Sequence, residues 1–278
     1  MTAKNYPNKI KTFTGSFKES IEYDETFYAK LVADQIKSNY YEIFPTPNDF
    51  SDNIQNIIYH MDEPAAGPGV FPQYMVSQLA SKHVKVILGG QGGDELFGGY
   101  ARYGIAYLEQ CIKGSILETQ EEGKHIVTLD SLIKNLPFLK QYIPLIKRQF
   151  SSGLFDSMDS RYFNLIHRGH DLNNVYSQDF IETIDMEKIY NEFQKIFNQA
   201  NTSSYLNKMT YFDMKTLLPS LLQVEDRVSM SVSLESRVPF LDRRIAELVA
   251  SIPPPMKFLN GKLKHILLKA TKEMLPKE

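Results

Sequence analysis

Residues 84–103 read VKVILGGQGGDELFGGYARY. Val84 to Leu88 is a short β-branched run that passes straight into glycine, and six of the chain's 15 glycines fall within this stretch. Glycine lets the backbone adopt positive φ and approach a ligand closely. An Asp-Glu pair, Asp94-Glu95, follows at once. The spacing is neither GxGxxG nor GxxxxGK[ST], so the glycines alone leave two readings open. One is a tight strand-to-helix turn with Asp94 as an N-cap. The other is a cradle whose N–H groups meet a nucleotide or a carboxylate, beside carboxylates that could hold Mg²⁺ or an ammonium group.

The flanking sequence places this stretch in an α/β pattern. Ile10 to Phe17, IKTFTGSF, reads as a strand with a glycine near its end. Asp24 to Lys37 has apolar residues Phe27, Leu31, Val32 and Ile36 at helical spacing, with Asp24 as N-cap. Tyr40 to Pro45 reads as a second strand. Phe50 to Met61 and Tyr74 to Ser81 read as helices, separated by the loop DEPAAGPGVFP. Strands alternating with helices predict a parallel sheet with crossover helices. In such a sheet ligands sit outside the carboxyl ends of the strands, where the TFTGSF and GGQGGDE segments both end. Beyond Gly104 the chain is mostly helix-like. Asn201 to Glu235 reads as a helical hairpin with a break at Pro219, and Arg243 to Ala250 as an amphipathic helix ended by Pro253-Pro254-Pro255. A last helix begins near Gly261.

Composition narrows the function classes. The 278 residues are 42% hydrophobic and 23% charged, with a net charge of −2. There is no basic surplus for coating nucleic acid. The start, MTAKNYPNKIKTF, lacks an apolar signal region, and no run approaches the ~18 apolar residues of a membrane span. The single cysteine, Cys111, cannot form an internal disulfide, which fits a reducing, cytoplasmic compartment.

Two further stretches carry charge in an apolar setting. Gln223 to Arg244, QVEDRVSMSVSLESRVPFLDRR, holds Glu225, Asp226, Arg227, Glu235 and Arg237. Arginine can clamp a carboxylate or phosphate bidentately, but paired charges also brace helices. Asn260 to Ala270, NGKLKHILLKA, offers Lys264 as a point charge for phosphate or as part of a solvated helix face. Asp62-Glu63-Pro64 is a loop signal that carries two carboxylates.

In this order and rough spacing, VKVILGGQGGDELFGGYARY, LLQVEDRVSMSVSLESRVPFLD and GKLKHILLKA resemble the synthetase domain of glutamine-hydrolysing asparagine synthetases, to which β-lactam synthetase is related. The resemblance covers essentially the whole chain and is weakest over 105–200. It implies an ATP-pyrophosphatase-type, adenine nucleotide α-hydrolase-like parallel sheet followed by a mostly helical region. Three segments are expected: a nucleotide-binding part over 1–105, a helical part over 106–205, and active-site-wrapping helices over 206–278. It also implies a reaction in which aspartate is adenylated by Mg-ATP and the acyl adenylate is amidated by ammonia that a separate N-terminal glutaminase domain makes from glutamine.

Carried over position by position, the resemblance implies catalytic roles for Asp94, Glu95, Tyr100 and Lys264. Asp94 is also the implied Mg²⁺ ligand. Gly15, Gly89, Gly90 and Gln91 would face the nucleotide, and Asp226, Arg227, Glu235 and Arg237 would frame the pocket. ATP and Mg²⁺ are the implied cofactors; aspartate, ammonia and a further copy of the chain are the implied partners.

The departures are specific. Gly89 and Gln91 stand where the family motif SGEGSDE has serine and glutamate, and Leu268 stands where an arginine usually follows the lysine. An amide at 91 cannot transfer a proton as a carboxylate can, although it can donate a hydrogen bond. The family's SGGxDS loop is expected ahead of IKTFTGSF, yet only glycine-free MTAKNYPNK precedes Ile10. The first strand of the sheet is therefore expected to be missing, leaving an open strand edge, and the isolated chain to be inactive. A degenerate, non-catalytic relative and an amidotransferase for another carboxylate remain open alternatives.

Overall fold

In a computed structural model, the chain divides into two compact units: Met1–Gln91 with Pro219–Asp242 and Leu268–Glu278, and Gly92–Leu218 with Arg243–Leu267. The structure describes residues 2–18, 24–63, 67–116, 121–122, 125–126, 142–151, 153–167, 172–199, 201–259 and 262–276. Pro64 and Gly261 lie outside them, as does the side chain of Cys111.

In the first unit, strand Lys11–Gly15 pairs in parallel with Asn39–Ile43, and helix Thr26–Gln35 connects them. The alternating β-branched and aromatic residues of KTFTG suit a pleated strand. Phe13 lies opposite Tyr41, and their rings stack at 5.3 Å. Val86–Leu88 forms a second parallel pair, with Glu235–Arg237. The expected parallel α/β unit is present, but as two separate two-stranded sheets.

Helices Pro47–Met61 and Val70–Ser81 supply the apolar core of this unit: Ile57, Met61, Phe71, Tyr74 and Met75 pack with Val228. The first of them starts earlier than its apolar periodicity suggests. Thr46 and Asp49 form a reciprocal capping box, with Pro47 at the first helical position. Gly15 is bare for a packing reason: a Cβ there would lie 2.7 Å from Val76 Cγ2 on the Val70–Ser81 helix.

Three local readings change. Asp24 is not the N-cap, which is Glu25; instead its carboxylate accepts from the Thr26 N–H at 2.9 Å and from Ser16 Oγ at 3.0 Å. Hydrogen bonding, from the Thr26 side chain foremost and then from the Thr26 N–H and Ser16, holds Asp24 below the usual carboxylate range. The break between helices Tyr205–Lys215 and Leu217–Met230 falls at Thr216, not Pro219. Pro219 sits in the first turn of the second helix, where its missing N–H leaves no bond unmade. Finally, Glu235 begins a strand rather than ending a helical hairpin.

The described residues of the second unit are mainly helical, with a short antiparallel pair, Glu121–Glu122 and His125–Ile126, and an isolated bridge between Leu259 and Lys262. Helices Ala101–Ile116, Met158–Ile166, Met186–Phe197 and Tyr205–Lys215 bury Tyr103, Ile105, Tyr162, Leu165, Phe193, Phe197 and Met209 in one cluster. Its centre is aromatic: Tyr162 stacks on Phe197 at 5.2 Å, and Phe197 on Phe193 at 5.0 Å. One buried ion pair crosses this core. Arg161 Nη2 donates to Glu109 Oε2 at 2.7 Å, with the two side chains 2% and 0% exposed. Near it, four hydrogen bonds gather on Asp159. Burial would raise its carboxyl, but Ser157, Asn198, Gln194 and the Ser160 N–H together hold it well below the usual range. No helix among the described residues is long and apolar enough to cross a membrane.

Candidate functional site

The glycine-rich stretch divides between the two units after Gln91. In the second unit, Gly92 at φ 89° caps the five-residue helix Gly93–Phe97, and Gly98 at φ 73° closes it. Both conformations favour glycine. Gly92, not Asp94, is therefore the cap. The Gly98 and Gly99 N–H groups both donate to the carbonyl of Asp94, at 3.0 and 2.9 Å. This folds the GGY segment back over the helix. A Cβ at Gly99 would collide with the Asp94 carboxylate and stand 3.0 Å from its Cα. Gly99 thus leaves room for the carboxylate it wraps, while Gly98 supplies the positive φ that closes the helix.

The adjacent acids occupy different environments. Asp94 is 41% exposed and pairs with Lys264, Nζ to Oδ1 at 2.9 Å. Glu95 is 1% exposed and accepts from the hydroxyl of Tyr100. Burial, reinforced by that hydrogen bond and the charge of Glu95, pushes the Tyr100 phenol far up, so it stays a donor at neutral pH. The Arg102 guanidinium lies 3.9 Å from the Tyr100 ring centroid. Arg102 is in turn held by Asp213 at 2.6 Å, which also accepts from the hydroxyls of Tyr103 and Tyr162. Lys264 has φ 53°, unusual for a residue with a Cβ.

Four predicted residues, Asp94, Glu95, Tyr100 and Lys264, thus fall into two contacting pairs within one unit. Arg102 and Asp213 were missed. Arg102 lies in the YARY end of the motif, but Asp213 sits 111 residues further along with no local signal.

In the first unit, Gly89 donates its N–H to the carbonyl of Arg237 at 2.8 Å. Its missing side chain leaves room for Glu225, whose Oε1 would stand 2.9 Å from a Cβ at 89. Glu225 is 8% exposed and accepts from Gln73, Ser236 and Gln91, the last at 3.4 Å. Gly89 and Gln91 thus both border this buried carboxylate, which sequence reasoning did not select. Around Gly90 there is open space.

Of the four expected pocket residues, Asp226 is exposed, Arg227 makes a half-exposed pair with Asp62 at 3.3 Å, and Glu235 and Arg237 pair with each other at 2.7 Å on an exposed strand. Gly89→Ala is expected to destabilise the protein by about 1–3 kcal/mol through overpacking, whereas Gly90→Ala is expected to be close to neutral. Urea unfolding of both variants checks this contrast.

Among the described residues no cluster of three His, Cys, Asp or Glu side chains could hold a metal. A Mg²⁺ at Asp94 would therefore be held by one carboxylate and otherwise by phosphate and water, a common arrangement for this ion.

The family model described as asparagine synthase matches residues 1–278. Asparagine synthetase [glutamine-hydrolyzing] 1 of Bacillus subtilis is 29% identical over 285 residues, covering 99% of this chain and 41% of that protein. A putative asparagine synthetase [glutamine-hydrolyzing] 2 of Methanocaldococcus jannaschii is 41% identical over 106 residues, 38% of this chain and 20% of that protein. The amidase chry2 of Gibberella zeae is 23% identical over 292 residues, 98% of this chain and 42% of that protein. The chain spans about two fifths of the length of the relatives it matches end to end.

Proposed function

The chain belongs to the asparagine synthase family, and from that premise we propose that it serves ATP-dependent amidation of a carboxylate, with aspartate as the acceptor. A carboxylate oxygen of the acceptor attacks the α-phosphorus of ATP, and pyrophosphate leaves. Ammonia then attacks the acyl carbon, loses a proton, and expels AMP together with that oxygen. Leaving pyrophosphate requires cationic charge, which Lys264 supplies. Asp94, exposed beside it, would take Mg²⁺ or the acceptor's amino group. Glu95 and Tyr100, hydrogen-bonded to each other with the Tyr100 ring under Arg102, brace the short helix that carries Asp94. Gly89, Gly90 and Gln91 would face the nucleotide in an ATP-pyrophosphatase-type sheet. The 278 residues contain no SGGxDS motif, so the pyrophosphate cradle would come from another segment or chain, as would the glutaminase that supplies ammonia.

The single observation that carries this reading is the Asp94–Lys264 contact at 2.9 Å, which joins two motifs 170 residues apart. A second reading, amidation of a different carboxylate, is favoured by the Gln91–Glu225 hydrogen bond at 3.4 Å, because it fixes an amide where the family motif has an acid. Product analysis separates the two. The polypeptide carrying this chain is incubated with Mg-ATP, ammonium and a panel of amino and dicarboxylic acids. AMP and asparagine in equal amounts with aspartate support the first reading. AMP formed only with another acid supports the second, and ADP in place of AMP contradicts both.

A further inference from the structure

We propose that Glu225 is the proton acceptor for the incoming nitrogen: from the helix Leu217–Met230 it supplies the carboxylate that Gln91 cannot. The inference rests on the amidation reading, whichever carboxylate is the acceptor, and adds a residue to it. Glu225 is 8% exposed, and its hydrogen-bond partners all belong to the first unit.

Three elements converge on its carboxylate. Gln73, on the helix Val70–Ser81, donates its amide to Oε2. Gln91, just past the strand Val86–Leu88, donates its amide to the same oxygen at 3.4 Å. Ser236, on the strand Glu235–Arg237, donates its hydroxyl to Oε1. All three donors are neutral, and no lysine or arginine among the described residues pairs with this acid. An ionised carboxylate offers about four acceptor positions. The two amides share Oε2, so Oε1, with Ser236 alone, keeps acceptor capacity. Oε1 is also the oxygen turned to the glycine-rich stretch. A Cβ at Gly89 would stand 2.9 Å from it, and around Gly90 there is open space. This is the carboxyl end of a parallel strand, where ligands of such sheets sit.

The chemistry needs a base at this stage. When ammonia attacks the acyl carbon, the new C–N bond leaves the nitrogen positively charged, with a proton to lose. That proton passes to Glu225 Oε1. The C–O bond to AMP then breaks, and AMP departs with the oxygen and the bonding electron pair. The glutamic acid returns its proton to water. A neutral amide cannot accept the proton as a carboxylate does. Gln91 has a different part: its NH₂ is turned to an acid that only accepts, so it keeps its carbonyl oxygen as an acceptor for an ammonia N–H.

The test compares ammonium-dependent amide formation with acceptor-dependent ATP–pyrophosphate exchange, which is complete before nitrogen enters. Both are measured on the polypeptide carrying this chain, with the panel of acids and with unfolding followed in parallel. The variants are Glu225→Gln and the swap of Gln91→Glu with Glu225→Gln. Glu225→Gln is expected to lower amide formation relative to exchange by about 10²–10⁴-fold, the scale of one general base. The swap moves the carboxylate across one hydrogen bond and is expected to regain most of that loss. An unchanged ratio in Glu225→Gln overturns the proposal and leaves the amidation reading standing. The proposal is equally overturned if both activities fall together, which makes Glu225 a brace of the fold, or if the swap regains nothing. Exchange absent from the wild type would overturn the amidation reading itself, and the proposal with it.

Discussion

Asp94→Asn is expected to lower acceptor-dependent ATP–pyrophosphate exchange by about 10²–10³-fold, the scale of removing one preorganised electrostatic group, with little change in Tm. The two halves of this expectation have separate causes. Asp94 and Lys264 are 41% and 35% exposed, and an ion pair so well solvated contributes about 0–1 kcal/mol to stability. The amide is nearly isosteric and leaves the Gly98 and Gly99 hydrogen bonds to the Asp94 carbonyl in place. What it removes is charge at the one point where the GDE motif and the C-terminal lysine meet. Exchange assays on the polypeptide carrying this chain, with unfolding followed in parallel, check both halves. Unchanged exchange would remove Asp94 from the machinery. A large fall in Tm would make the carboxylate a structural element.

The largest expected stability effect lies elsewhere. Arg161→Met should destabilise the helical unit by about 3–5 kcal/mol, because Glu109 is left charged and fully buried. Gln149 Nε2 donates to Glu109 at 2.7 Å, and a neutral amide does not compensate a carboxylate. The fall in Tm is expected to be on the order of 10 °C. The double variant Arg161→Met with Glu109→Leu should recover most of the loss, since replacing a whole buried pair by apolar side chains is often neutral. Differential scanning calorimetry of the single and double variants tests this. Equal losses in both would locate the effect in packing rather than in charge.

The sequence was most legible where one residue's role follows from its neighbours. KTFTG is a strand because it alternates, and Pro47–Met61 is a helix because its apolar positions recur and Thr46 caps it. The Asp94 and Lys264 pairing was within reach because both lie in ordered motifs of one resemblance. Long-range charge pairing was not. Arg161 and Glu109 are 52 residues apart, and Asp213 and Arg102 are 111 apart. No local pattern distinguishes such buried ions from a solvated helix face. Glu235–Arg237 escaped as a strand because its outer residues are charged; only the pairing with Val86–Leu88 reveals it. Glu225 was overshadowed by the Asp-Arg that follows it, although it is the acid that Gly89 and Gln91 border.

The central claim, that this family member serves activation of a carboxylate as its adenylate, is tested most directly by following oxygen. The acceptor is supplied with ¹⁸O in its reacting carboxylate, together with Mg-ATP and ammonium, and the products are examined by mass spectrometry. One ¹⁸O in AMP is the expected result, because the carboxylate oxygen that attacks the α-phosphorus departs with it. ¹⁸O in inorganic phosphate, with ADP as the other product, would mean an acyl phosphate and would contradict the account.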